Sequence, residues 1–128
     1  MSDPIRAEAP RDIDPEDGKL ITLARSARAR NAAAEGAAVR DETGRTYVAT
    51  TVALPALELS ALQAAVAAAV SSGARTLEAA VVVTEAAEHP AVDLAVARDL
   101  ATPTVLLVAP DGTPALRTSA RQADEPAS

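Results

Sequence analysis

With 128 residues, the chain holds one domain's worth of sequence, and with no cysteine it can form no disulfide. Apolar residues make up 48%, yet Tyr47 is the only aromatic, so a core must come from small, closely approaching helices and strands. The net charge of −6, with six acids and only Arg6 and Arg11 within residues 1–17, argues against gripping nucleic acid through phosphates or base stacking.

Residues 1–13, with Pro4 and Pro10, read as a disordered acidic tail. They lack the apolar run of a secretory leader, and the longest apolar stretch, residues 64–70, is too short to span a membrane. The expectation is a cytoplasmic protein that makes no membrane contact. Asp14-Pro15 then opens a helix with an N-cap acid and a proline at its first position. The helix is expected to run to about Ala34, burying Leu20, Leu23, Ala24 and Ala27, with Arg25, Arg28 and Arg30 forming a solvated face.

Residues 36–41 and 46–54 read as two strands joined by Asp41-Glu42-Thr43-Gly44, a hairpin loop with glycine where positive φ is needed. Pro55 ends the second strand. Residues 60–72 form an alanine-rich helix closed by Gly73, and Ser60 and Gln63 make the S-x-x-Q pattern of a capping box. Residues 77–84 and 104–109 are short continuous apolar runs, which suit parallel strands covered on both faces. Between them residues 90–100 make a three-turn helix, with Pro90 at its first position and Asp93 near the positive end of the dipole. Asp111-Gly112 is a turn. Residues 14–114 thus make one α/β domain with helices on both sides of its sheet, and residues 115–128 read as a second disordered tail.

The order of these segments and several local matches resemble the small cytidine deaminases. Gly36-Ala37-Ala38 is similar to the family's Val-Gly-Ala-Ala step into its first strand, and Ser60-Ala61-Leu62-Gln63 to its Cys-Ala-Glu-Arg motif. Residues 81–109 resemble its second zinc helix and flanking strands, where P-C-x-x-C-R-Q-V-L-x-E-F is expected. The resemblance implies a three-layer α/β/α cytidine-deaminase-like sandwich with a mixed sheet. It also implies hydrolytic deamination of cytidine to uridine by a zinc-bound water and a glutamate that moves its proton.

Carried over position by position, the functional residues are changed. The first zinc cysteine falls on Ser60, the catalytic glutamate on Leu62, and the paired zinc cysteines on Pro90 and Asp93. The ribose-holding residues fall near Thr51 and Ala53. Losing the glutamate alone costs a factor of about 10²–10⁴, and losing three thiolates removes the metal that makes the nucleophile. No catalytic residue, no metal ligand set and no cofactor is therefore expected, with capping taking the place of ligation at the two helix starts.

Two other arrangements could restore chemistry here. Glu85, Glu88, His89 and Asp93 have the donor types for a metal, but without a recognised ligand spacing, and a loop histidine among acids is ordinarily solvated. A Ser60-His89-acid triad has no nucleophile elbow to support it. The expectation is thus a non-catalytic binding or assembly module. Its rivals are a working cytidine deaminase and a nucleotide- or anion-sensing pocket built on Thr51, Ser60 and Asp93 at the two helix N-termini. The resemblance implies a homo-oligomer, dimer or tetramer, and the small side chains of residues 60–72 suit a contact surface because they allow close helix approach. A small nucleoside or anion is the other candidate partner.

Overall fold

A computed structural model describes residues 6–8 (backbone only) and 12–121. In chain order the elements are β1 (Arg6–Glu8), α1 (Pro15–Asn31), β2 (Gly36–Asp41), β3 (Thr46–Thr50), β4 (Val52–Leu54) and β5 (Leu57–Leu59), followed by α2 (Ala61–Ser71), β6 (Leu77–Val83), α3 (Ala91–Asp99), β7 (Thr102–Val108) and β8 (Pro114–Ala120). Six strands form one mixed sheet in the order β1-β8-β7-β6-β2-β3. Only β6 and β7 are parallel within it, and α3 is the helix that connects them.

The alternation of side chains across this sheet creates two cores. Ala38, Ala79, Val81, Val83, Leu106 and Val108 face α1, meeting Leu20, Ile21 and Ala24. Ala37, Val39, Ala80, Val82 and Val105 face the other way, onto Leu62, Ala65, Val66 and Ala69 of α2 and Ala97 of α3. This is the expected three-layer α/β/α arrangement with helices on both faces of a mixed sheet. Small residues set its tightness. A Cβ placed on Gly36 would collide with the carbonyl oxygen of Ala24, so the first residue of β2 lies against the backbone of α1.

The start of α1 follows its sequence: Asp14 caps it, accepting from the Glu16 N–H at 2.8 Å, and Pro15 is its first residue. It ends earlier than expected, because Ala32 turns into the left-handed region (φ 51°) to send the chain into β2. Leu23 is exposed and Ile21 takes its place in the core. Nor are the α1 arginines simply solvated: Arg25 donates to the Pro110 carbonyl and Arg28 to the Ala34 carbonyl, both at 3.1 Å. Asp17, one of the six acids counted above within residues 1–17, is buried and pairs at 3.0 Å with Arg40, which also holds Glu78 at 2.8 Å.

Three further expectations are corrected. The single strand over residues 46–54 breaks at Thr51. Residues 52–54 instead pair with the unforeseen β5 in a separate two-stranded hairpin around Pro55. The break falls where Gly36, the first residue of β2, has already paired with Thr50, leaving no sheet neighbour to follow. Both tails also contribute strands. Residues 114–120 pair antiparallel with β7 as β8, and Arg6–Glu8 pair with β8 as β1. Without β8, the edge of the buried, β-branched β7 would be left with unpaired backbone groups. The rest of the two expected tails, residues 1–5, 9–11 and 122–128, lies outside the described residues.

Candidate functional site

The starts of α2 and α3 converge. Ser60 is the N-cap of α2 and forms a complete capping box: its hydroxyl accepts from the Gln63 N–H at 3.0 Å, and the Gln63 side chain accepts from the Ser60 N–H at 2.9 Å. Pro90 is the N-cap of α3 rather than its first residue, and supplies no side-chain cap. Asp93, in the first turn of α3, accepts from the Ser60 hydroxyl at 2.5 Å. That length belongs to a strong, charge-assisted O–H···O bond. Ser60 and Asp93, 33 positions apart in sequence, are thus joined directly.

Asp93 is fully buried, and its second carboxylate oxygen has no partner among the described residues. Burial raises its pKa above the usual carboxylate range; the Ser60 bond opposes this and the nearby Glu35 carboxylate adds to it. Leu62, at the position matching the family's catalytic glutamate, points into the core and is fully buried. His89 is not solvated as expected. It is 7% exposed, and neither ring nitrogen has a hydrogen-bond partner among the described residues. The Val105 backbone approaches it but falls outside hydrogen-bond geometry, and burial lowers the pKa of the imidazole to about 4.

Two clefts flank this junction and meet at Thr51. One, of about 330 Å³, is lined by Arg28, Ala34, Glu35, Thr51, Thr84 and Glu85. The other, of about 460 Å³, runs from Thr51 along Ala53, Glu58, Ser60, Gln63 and Val92. The structure therefore places Thr51 and Ser60 on one surface and Asp93 immediately behind it. Thr51 is partly engaged, its hydroxyl accepting from the Glu35 N–H at 3.1 Å. Sequence reasoning did not bring three further residues to the clefts. Arg28 and Glu85 form a 3.7 Å ion pair at the first cleft, and Glu35 sits close enough to influence Asp93. None carries a motif, because each arrives from a different part of the fold.

The metal that the resemblance implies does not fit these residues. The Pro90 side chain offers no ligand atom, Ser60 presents a neutral hydroxyl already donating to Asp93 and accepting from Gln63 where a thiolate is needed, and Asp93 is one carboxylate already bound to that hydroxyl. Among the described residues no three of His, Cys, Asp and Glu are grouped so as to hold a metal ion, so Glu85, Glu88, His89 and Asp93 do not form the alternative site. Nor does a triad form: Ser60 donates to Asp93 and not to His89.

A mixed sheet between helix layers, with two helix starts meeting beside a cleft, defines a deaminase-type α/β/α domain. The chain belongs to the cytidine deaminase-like family, whose profile matches residues 13–112. Among solved structures it is similar to the cytidine deaminase of Burkholderia pseudomallei, with 26% identity and a TM-score of 0.65, over 80% of this chain and 91% of that one. It shares its fold with the cytidine deaminase of Mycobacterium leprae, at 21% identity and a TM-score of 0.60, covering 79% and 92% of the two chains. It does so too with a point mutant of the cytidine deaminase of Mycobacterium tuberculosis, at 24% and 0.61, covering 80% and 90%. No curated protein matches the sequence.

Proposed function

We propose that this chain is a catalytically inactive cytidine-deaminase-like protein that works as a non-catalytic binding or assembly module. The observation that carries this reading is the hydrogen bond between Ser60 and Asp93. It commits the side chains at the positions matching two of the family's zinc cysteines to each other, while Leu62 packs into the core. Deamination of this type needs a metal-bound hydroxide and a carboxylate beside it to move protons. The pseudoenzyme reading is tested by following cytidine absorbance with purified protein supplied with zinc. No conversion to uridine is expected, and turnover above a buffer blank would defeat it.

Assembly with a second copy is the form of module we favour. Support comes from the outer face of α2, where Ala67, Ala68 and Val70 are exposed, and from the hairpin residues Leu54 and Leu57, 56% and 49% exposed. Small side chains allow close helix approach, and paired hairpin leucines are unusual on a surface meant for water. Light scattering after size exclusion is expected to give a dimer or tetramer mass; a monomer counts against it. The second reading, a cleft that takes a small nucleoside, is favoured by the continuous surface around Thr51. A thermal-shift series with nucleosides tests it, and no stabilisation by any of them removes it. The cysteine-free composition suits a cytoplasmic location, and no helix among the described residues is long and apolar enough to cross a membrane.

A further inference from the structure

We propose that Asp93 is the chain's own ligand for the start of α2: its carboxylate fills the seat between the two helix N-termini and ties α2 to α3, so that no external anion is taken there.

The argument begins with what a carboxylate at the third position of a helix normally does. It accepts from the backbone N–H of its own N-cap residue, completing a capping box. In α3 that residue is Pro90, which has no N–H to give. Asp93 is thereby released from its own helix and reaches the neighbouring one. On the other side, the Ser60 hydroxyl has a single proton. Because its oxygen already accepts from the Gln63 N–H, that proton is free to be aimed at Asp93. The two defects match: an acid without its local donor meets a hydroxyl without its acceptor.

Burial supports the same assignment. Aspartate is almost never fully buried without a partner, yet Asp93 is 0% exposed. Its placement between two helix starts gives a negative group the most favourable position that backbone dipoles can offer. An external anion would need this same position, and would meet Asp93 together with Glu35 and Glu58, which line the adjoining clefts. The seat is therefore filled from within. This goes beyond catalytic inactivity, since an inactive protein could equally have left the junction open to a ligand.

The test is chemical rescue of the full-length chain, read as melting temperature in sodium formate against sodium chloride at equal ionic strength. The wild type is expected to gain no more from formate than from chloride. Asp93→Ala vacates the seat and is expected to lose about 5–10 °C, part of which formate restores saturably and chloride does not. Asp93→Asn keeps an acceptor for the Ser60 hydroxyl, and is expected to melt near the wild type with no formate-specific gain. Should Asp93→Ala yield no folded protein, Asp93→Ser goes through the same series. The proposal is overturned if neither variant gains specifically from formate, or if the wild type itself gains saturably from formate beyond its gain in chloride. A failed rescue leaves the absence of deaminase activity standing, and cytidine turnover would not by itself refill the seat, so the two ideas fail separately.

Discussion

Replacing Ser60 by alanine removes one oxygen and breaks two hydrogen bonds at once. The hydroxyl caps α2 by accepting from Gln63, and losing such a cap costs about 1 kcal/mol. The same hydroxyl is the single donor seen on Asp93, whose other carboxylate oxygen has no partner among the described residues. Stranding a buried acceptor costs about 1–3 kcal/mol further. Ser60→Ala should therefore lose about 2–4 kcal/mol, a large share of the stability of a domain this size. Urea unfolding followed by circular dichroism measures it, and the midpoint should fall without a change in slope. In a double-mutant cycle with Asp93→Ala, the second substitution should cost less in the Ser60→Ala background, because the carboxylate is already stranded. A coupling of about 1 kcal/mol or more is expected. A loss below about 0.5 kcal/mol, or strictly additive changes, would refute the reasoning.

Other outcomes follow from the same geometry. His89 is buried with its pKa lowered to about 4, so the unfolded chain takes up its proton first as pH falls. Stability from this residue is full above about pH 6.5 and declines until the folded-state pKa is reached, amounting to about 2 kcal/mol lost by pH 5. His89→Leu should remove that share of the acid slope, visible as a smaller difference between urea midpoints at pH 7.5 and pH 5. An unchanged difference would count against a buried neutral imidazole. The raised pKa of Asp93 acts oppositely, its burial penalty easing as pH falls through the folded value, so an Asp93→Asn variant should show a steeper acid decline than the wild type. Gly36→Ala would press a Cβ into the Ala24 carbonyl oxygen, and should cost about 1–3 kcal/mol through displacement of α1. Thermal or urea unfolding checks it, and a neutral result would mean that β2 and α1 are less tightly apposed.

The layers of the fold were legible because its helices and inner strands carry strong local signals. Asp14-Pro15 and the Ser60/Gln63 pair marked two helix starts, and both cap as their side chains dictate. The apolar runs around Val81 and Leu106 were long enough to imply burial on two faces, and they form the parallel pair. The edges of the sheet were less readable. Residues 114–120 alternate weakly and contain Arg117 and Ser119, so nothing local distinguishes β8 from a tail. It exists because β7 needs a neighbour. The hairpin of β4 and β5 was hidden in the same way, since Pro55 signals an end but not a return.

At the site, the sequence brought Ser60 and Asp93 together only through the alignment of helix starts, and the structure joins them by a bond that no motif describes. His89 went the other way. Its acidic neighbours Glu85 and Glu88 suggested solvent, but the start of α3 folds it beneath the surface, where neither ring nitrogen has a hydrogen-bond partner among the described residues. Arg28 illustrates the remaining limit. It reads as one member of a basic stripe, and becomes part of a cleft wall only when the loop after β6 delivers Glu85 to it.

The most direct measurement on the account as a whole is the zinc content of the purified protein after incubation with excess zinc and extensive dialysis, determined by elemental analysis. With Ser60 and Asp93 bound to each other and Pro90 donating nothing, the protein should retain far less than one zinc per chain. One tightly held zinc per chain, lost on substituting Ser60 or Asp93, would contradict it.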